Sequence, residues 1–259
     1  MSKAKRLGRA LLWIILAATV CGVAVFGYKL WESQAEYTEA NNYYDAIADS
    51  VKQERQTTGL EDEMAQVEIP DIRIDFKKLK ETNEDCIAWL YSPDTVVDYP
   101  VVKAADYNYY LYRLLDKSYN RNGTLFLDYN CKPDFTDKMS IIYGHNMKSG
   151  RMFGSLPGYK KQAYYDQHPY MYLYTVDGNY RVELLYGCVI GAGKWQENGF
   201  MFQENYETLL EYAAANSTFV STTTPEDRSN YIALSTCSYE FNDARYVVIG
   251  KLVPEYPRQ

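Results

Sequence analysis

Eight short runs of β-branched and aromatic residues follow residue 85, and they limit the possible folds of this chain more than any other feature. Gly, Pro, Asn and Asp separate the runs, as is typical of strands that end in turns. Eight such strands predict a mostly β domain, either a closed barrel or a sandwich, and a closed barrel would have no exposed sheet edge. The runs are CIAWLY, VVDYPVV, GTLFLDY, KMSIIYG, YMYLYTV, YRVELLYGCVIG, NYIALSTC and RYVVIGKLV.

Helical patterns precede and interrupt these strands. Residues 31–68 are polar and mostly free of Gly and Pro, which predicts a helical stalk with Gly59 as its stop. Residues 75–85 and 105–117 are further helix candidates. Residues 203–217 predict a clear helix, inserted between two late strands.

An apolar run without charge, residues 10–28, predicts a membrane anchor. Its 19 residues, at about 1.5 Å rise each, just span a hydrocarbon core of about 30 Å. Basic residues before the run and acidic residues after it place the N-terminus in the cytoplasm. They are Lys3, Lys5, Arg6 and Arg9, and Glu32, Glu36 and Glu39. A cleaved signal peptide is the alternative, although no convincing small-x-small cleavage site follows.

The chain is therefore expected to have four parts: a cytoplasmic basic tail (1–9), a single-pass signal anchor (10–30), the helical stalk (31–68) and one extracellular β domain (69–259). The net charge of −7 argues against nucleic acid as a partner, because there is no basic surplus to neutralise phosphates. The 27 tyrosines suit sheet surfaces, and a carbohydrate or peptide groove is a second interpretation.

The five cysteines show no CxxC spacing and the chain has two histidines, so neither a zinc site nor a disulfide framework is expected. Cys237 differs from the other cysteines because it ends a strand beside Ser235, Thr236 and Ser238, in a polar and partly open setting. A buried inert thiol is the default interpretation for Cys188. An outward-facing chain that keeps free thiols can use one as a nucleophile.

Three side chains form a candidate acyl-transfer site. His145 follows an apolar strand and precedes a polar loop, and Gly144 before it permits an unusual backbone conformation. His168, next to a proline, is the weaker candidate base. Arg245 begins the strand after Cys237, so antiparallel pairing would bring its guanidinium beside the thiol, where it could hold a carbonyl oxygen. The sequence alone leaves open whether His145 meets Cys237.

The segments LSTCSYEFNDARYVVIGKL, IIYGHNM and IDFKKLKETNEDCIAWLYSPDTVVDYPVV resemble the class B sortases of Gram-positive bacteria over residues 70–253. The usual Thr-Leu-x-Thr-Cys motif reads Ala-Leu-Ser-Thr-Cys here, so its first Thr is missing. The resemblance implies a closed eight-stranded sortase-type barrel with N-terminal helices and an inserted helix between late strands. It also implies a membrane-anchored cysteine transpeptidase that needs no metal or other cofactor.

The resemblance implies roles for individual residues as well. Cys237 would be the nucleophile, His145 the general acid/base and Arg245 the group that binds the substrate carbonyl. The implied substrate-binding residues are Ser235, Thr236 and Leu111. The implied partners are surface proteins with a C-terminal sorting motif that is cut after Thr, and an amine of peptidoglycan or its lipid-linked precursor. A pilin Lys as acceptor, a peptidase that only hydrolyses, and a Tyr-rich non-catalytic binding module are the alternatives.

Overall fold

The computed structural model describes residues 3–54, 72–193 and 205–255. Within them the chain forms ten strands: β1 (Lys52–Glu54), β2 (Ile72–Ile74), β3 (Cys86–Tyr91), β4 (Asp98–Lys103), β5 (Leu125–Leu127), β6 (Met139–Tyr143), β7 (Tyr170–Thr175), β8 (Asn179–Gly191), β9 (Asn230–Cys237) and β10 (Ala244–Glu255). Each of the eight predicted runs overlaps with one strand from β3 to β10. The predicted strand positions are therefore confirmed.

The last eight strands close into one barrel in the order β10-β8-β7-β3-β4-β5-β6-β9, and β9 also pairs with β10. The β4–β5 and β6–β9 pairs are parallel, and the remaining pairs are antiparallel. The predicted closed barrel is confirmed and the sandwich alternative is wrong. β1 and β2 form a separate two-stranded sheet.

The described helices are α1 (Lys3–Val51), α2 (Phe76–Thr82), α3 (Gln162–Gln167) and α4 (Tyr206–Ala215), with short 3-10 helices at Tyr109–Tyr112 and Leu156–Lys160. The short helix predicted at 75–85 is confirmed as α2, whose first turn is capped by Asp75. The helix predicted at 203–217 is confirmed as α4 within the described residues. The helical part of the stalk ends at Val51, and its predicted stop at Gly59 lies outside the described residues.

The helix predicted at 105–117 is wrong: these residues form a loop that contains a single short 3-10 helix. The Asp106 carboxylate accepts hydrogen bonds from the backbone N–H groups of Asn108 and Tyr109, at 2.7 and 2.8 Å. Such an Asx turn competes with helical hydrogen bonding. Arg113 then bridges to Tyr119 in an extended conformation, which ends the helical turn.

Helix α1 has two different halves. Its apolar run is exposed along its length, and this is the one described helix long and apolar enough to cross a membrane. The second half packs on the barrel through Ala40, Tyr44, Ala48 and Val51, which are spaced three or four residues apart and so share one helix face. The same helix therefore carries both the apolar run and a part of the domain core.

The barrel wall formed by β6, β9, β10 and β8 has an apolar face that packs against α4. Leu209 and Ala213 of α4 are buried against alternating strand residues such as Ala233 and Val247. An eight-stranded barrel has room inside for side chains only. The face below α4 is therefore the outer face of the barrel.

Immediately after β6, the chain needs a glycine at position 144 because neighbouring side chains leave no room for a Cβ atom. Gly144 is not among the described residues with positive φ, so the chain does not use the conformational freedom that a glycine permits there. A Cβ atom built on it would lie 2.4 Å from Leu125 Cδ2 and 2.7 Å from Phe153 Cδ2. Such overlap cannot be relieved without moving buried side chains.

We expect Gly144→Ala to lower the free energy of unfolding by about 2 kcal/mol through this overpacking. Thermal or urea unfolding of the full chain in detergent measures the change. Gly178→Ala is the matched control, because Gly178 has no heavy atom within 4 Å of a built Cβ. Equal stabilities of the two variants would contradict the prediction.

Candidate active site

Three neighbouring strands end or begin at the same rim of the barrel. In the parallel pair β6–β9, Tyr143 lies opposite Ser235, so the residues that follow each strand leave the barrel side by side. In the antiparallel pair β9–β10, Cys237 lies directly opposite Arg245. The prediction that these two strands are antiparallel neighbours is therefore confirmed.

Hydrogen bonds continue the β6–β9 alignment beyond the end of β6. The Gly144 N–H donates to the Ser235 carbonyl at 3.2 Å. The Thr236 hydroxyl donates to the Gly144 carbonyl at 2.7 Å, and the Asn146 side-chain amide donates to the Cys237 carbonyl at 2.8 Å. The segment that contains the histidine is thus fixed to the segment that contains the cysteine.

Cys237 and Arg245 lie on one face of β9 and β10. Side chains alternate between the two faces of a strand, so residues two apart share a face. Cys237 follows Ala233 by four residues and Arg245 precedes Val247 by two, and both of these apolar residues belong to the outer face under α4. His145 follows Ile141 of the same face by four residues. Cys237 and Arg245 therefore lie side by side on the outer face at the rim, and His145 lies two residues beyond the end of β6 at the same rim.

The His145 imidazole is held by a backbone carbonyl. Its Nε2 atom lies 2.7 Å from the Leu111 carbonyl oxygen, and because that oxygen can only accept, Nε2–H is the donor. Nδ1 is then the basic nitrogen of the neutral ring. Burial lowers the pKa of His145, and the hydrogen bond to Leu111 partly offsets this. The ring is therefore mostly neutral at pH 7 and able to take a proton.

Cys237 is the one cysteine of the barrel that reaches solvent. Cys86, Cys131 and Cys188 are buried, whereas Cys237 is half-buried, and all are free thiols. Burial raises the pKa of each of the three buried thiols to about 12, so they stay protonated and inert at neutral pH. Cys237 is therefore the cysteine of the barrel whose sulfur a reactant from solution can approach.

The Arg245 guanidinium retains most of its hydrogen-bond donors. Its one described hydrogen bond is from Nη1 to the Ala244 carbonyl, at 3.2 Å. No carboxylate of the described residues forms a salt bridge with it. A guanidinium without a carboxylate partner can stabilise a thiolate or an oxyanion on a bound substrate.

The residues expected to bind substrate have other contacts in this structure. Ser235 and Thr236 are 1% and 2% exposed. Thr236 holds the Gly144 carbonyl, whereas the Ser235 hydroxyl has no hydrogen-bond partner among the described residues. The Leu111 side chain packs on the core and its carbonyl holds His145. Their contact with substrate stays a prediction.

Two further contacts shape the rim and are not among the contacts predicted from the sequence. The first is the Asn146 amide on the Cys237 carbonyl, although its place directly after His145 was a usable signal. The second is a cluster in the loop after the cysteine, where Lys160 contacts both Ser238 and Glu240. His168 lies elsewhere, at the end of α3 beside Tyr164. The described residues contain no cluster of His, Cys, Asp or Glu suited to a metal ion.

We expect a thiol-selective alkylating probe to modify Cys237 and to leave Cys86, Cys131 and Cys188 unmodified, because burial keeps those three thiols protonated. Mass spectrometry of the folded chain in detergent, in a Cys21→Ala background, gives the number and position of adducts. Cys237→Ala is the control and should remove the adduct. Faster modification of a buried thiol would contradict the assignment.

We expect the pKa of the His145 imidazole to lie below its usual value of 6.5, because burial disfavours its charged form. Below pH 6.5 the imidazole of the unfolded chain binds a proton that the folded chain does not yet bind. Stability from this group is therefore complete above 6.5 and is lost as the pH falls toward the lowered pKa. NMR titration in a His168→Asn background measures the midpoint, and a midpoint above 6.5 would contradict this prediction.

Comparison with known proteins gives one family. A family model for the sortase domain matches residues 90–253, more than half of the chain. Sortase B of Listeria monocytogenes is 30% identical over 254 residues, which cover 95% of this chain and 97% of that protein. Sortase B of Staphylococcus aureus is 22% identical over 93% of this chain and 96% of that protein.

Solved structures agree with this result. Sortase B from B. anthracis superposes with a TM-score of 0.70 at 27% identity, covering 85% of this chain and 99% of that one. A class B sortase of Streptococcus pyogenes, described as involved in pilus biogenesis, gives a TM-score of 0.62 at 27% identity over 69% of this chain and 98% of that one. These matches favour an enzyme over a non-catalytic binding module. With its barrel and its cysteine at the rim, this chain belongs to the sortase family of cysteine transpeptidases, in class B.

Proposed function

We propose that Cys237, His145 and Arg245 catalyse acyl transfer from a sorting motif to an amine through a thioester intermediate. The observation that supports this proposal is the strand register, which pairs Cys237 with Arg245 and sets β6, which ends two residues before His145, beside β9. A nucleophile, a base and an oxyanion partner at adjacent strand ends can all reach one peptide bond.

In the first step the Cys237 sulfur attacks the carbonyl carbon of the motif Thr, and the thiol proton passes to the His145 imidazole. Arg245 stabilises the negative charge that develops on the carbonyl oxygen. The C–N bond then breaks, and the leaving amine takes the proton from the imidazolium. The products are a thioester on Cys237 and the released C-terminal segment.

In the second step an acceptor amine attacks the thioester carbonyl and gives a proton to His145. The C–S bond breaks, the new amide bond forms, and the sulfur leaves as a thiolate that Arg245 and the imidazolium stabilise. The imidazolium then returns the proton to the sulfur. Atoms and charge balance without an oxidant or another co-reactant.

The acceptor in this proposal is an amine of peptidoglycan or its lipid-linked precursor, and the donor is a surface protein with an Asn-Pro-x-Thr-like motif. The exposed apolar run of α1 supports an anchor that keeps the barrel at the outer side of the membrane, close to both partners. A pilin Lys is the second candidate acceptor, favoured by the similarity to the S. pyogenes sortase described as involved in pilus biogenesis.

Incubation of the full chain in detergent with Thr-containing sorting peptides is expected to give a thioester adduct on Cys237, seen by mass spectrometry. His145→Ala should slow its formation about 100- to 10,000-fold, because the general base is lost. Arg245→Ala should slow it about 100-fold or more, and Arg245→Lys should recover little, because an ammonium keeps the charge but loses the fork.

Added triglycine separates transfer from hydrolysis. A transpeptidase gives the peptide–triglycine product in preference to the free acid, whereas a simple peptidase gives the acid in both conditions. Cys237→Ala should give neither adduct nor product. Adduct formation at the wild-type rate in His145→Ala would overturn the role of that residue.

A further inference from the structure

The carbonyl that holds the imidazole belongs to a short element with little stability of its own. Leu111 lies in the 3-10 helix Tyr109–Tyr112, which is one turn long. Such helices have poor hydrogen-bond geometry and depend on their surroundings. The position of the Leu111 carbonyl, and of the ring that it holds, must therefore be fixed by other parts of the fold.

The turn at residues 120–124 supplies this support. The Thr124 N–H donates to the Tyr110 carbonyl at 2.9 Å, and the Thr124 hydroxyl donates to the Arg113 carbonyl at 2.8 Å. Gly123 has φ +63°, and a Cβ on it would lie 2.6 Å from the carbonyl oxygens of Tyr110 and Leu111. This glycine allows the turn to pack directly on the backbone that orients His145.

Helix α1 holds that turn in place. The Tyr44 hydroxyl donates to the Gly123 carbonyl at 2.6 Å and lies 2.8 Å from the Thr124 hydroxyl. About two turns earlier in α1, a Glu36 carboxylate oxygen accepts a hydrogen bond from the backbone N–H of Arg121 at 2.8 Å. Tyr44 is 1% exposed, so water cannot replace its hydroxyl.

The same part of α1 also contacts the loop that follows His145. The Asp45 carboxylate accepts two hydrogen bonds from the Arg151 guanidinium, at 2.8 and 2.9 Å. Close by, the Phe153 N–H donates to the His145 carbonyl at 3.0 Å. Helix α1 is thus connected to His145 in two ways: to its ring through the turn at 120–124 and Leu111, and to its backbone through the loop that follows it.

We propose that Tyr44 is a positioning residue for the His145 imidazole, acting through the turn at 120–124 and the Leu111 carbonyl. The helix that carries the apolar run then sets the geometry of the site as well as its location. This inference rests on the proposed function of His145. It adds that a residue of α1, without contact with substrate, controls the orientation of the ring.

The test compares Tyr44→Phe with Tyr165→Phe in the full chain in detergent. Both changes remove one hydroxyl from a buried tyrosine, but Tyr165 bonds to Ser221 and Thr222, outside this path. The first readout is the ¹⁵N–¹H signal of His145 Nε2, in a His168→Asn background. The second is the rate of transfer of an Asn-Pro-x-Thr peptide to triglycine.

In Tyr44→Phe we expect faster solvent exchange of the Nε2 proton and a shift toward the Nδ1–H tautomer, because the bond to Leu111 loosens. Misplacement of the base should lower kcat about five- to twentyfold and change KM less than about twofold. Tyr165→Phe should match the parent in both readouts. A Tyr44→Phe chain that is folded but equals Tyr165→Phe in the NMR signal overturns the inference.

Glu36→Ala decides the question if Tyr44→Phe does not fold. Glu36 is partly exposed, and its loss should change the Nε2 signal in the same direction by a smaller amount. An unchanged signal in that variant would overturn the inference. Failure of the proposed function is a separate result: His145→Ala would then keep wild-type activity, whatever the imidazole signal shows.

Discussion

The parallel pairing of β6 with β9 is the constraint on which the site depends. It aligns Tyr143 with Ser235 and so brings out two segments from the barrel at the same rim, one with the imidazole and one with the thiol. No short loop joins these parallel strands, so their alignment depends on the closed barrel around them as well as on their own hydrogen bonds. The geometry of the rim is therefore a property of the whole barrel. A change that shifted this register by one residue would move one of the two side chains to the opposite face.

Close packing at Gly144 and the N-terminal helix support that alignment from two directions. Leu125 and Phe153 leave no space for a side chain at Gly144, so the backbone before His145 passes between fixed neighbours. Helix α1 packs on the other side, where the Tyr44 ring contacts the Tyr99 ring edge-on with centroids 5.4 Å apart. Such aromatic pairs add about 0.5–1.5 kcal/mol beyond their buried area. The rim is thus held by the core and not by loop contacts alone.

The strands could be predicted from the sequence because each run carries its own signal in side-chain type and in the turn residues that bound it. Cys237 and Arg245 could be predicted as neighbours because a short loop joins their strands. The position of His145 at the same rim could not, since no local pattern specifies that β6 pairs with β9. The hydrogen bond from His145 to the Leu111 carbonyl could not be predicted either, because every residue has a backbone carbonyl and its side chain does not indicate which one is used. The wrong helix at 105–117 has the same origin: the Asp106 turn outweighed a helix-like pattern.

The partner of the His145 imidazole is an uncharged carbonyl, so no carboxylate contributes a negative charge at that position. In a Ser-His-Asp triad, a carboxylate stabilises the imidazolium, because a serine hydroxyl is a poor acid and needs a strong base. A thiol is far more acidic, so a base with a lowered pKa is sufficient. A carboxylate beside His145 would also compete with the thiolate for the charge of Arg245. With the neutral Leu111 carbonyl in that place, the guanidinium keeps its charge for the roles that the proposed mechanism gives it, at the sulfur and at the oxyanion.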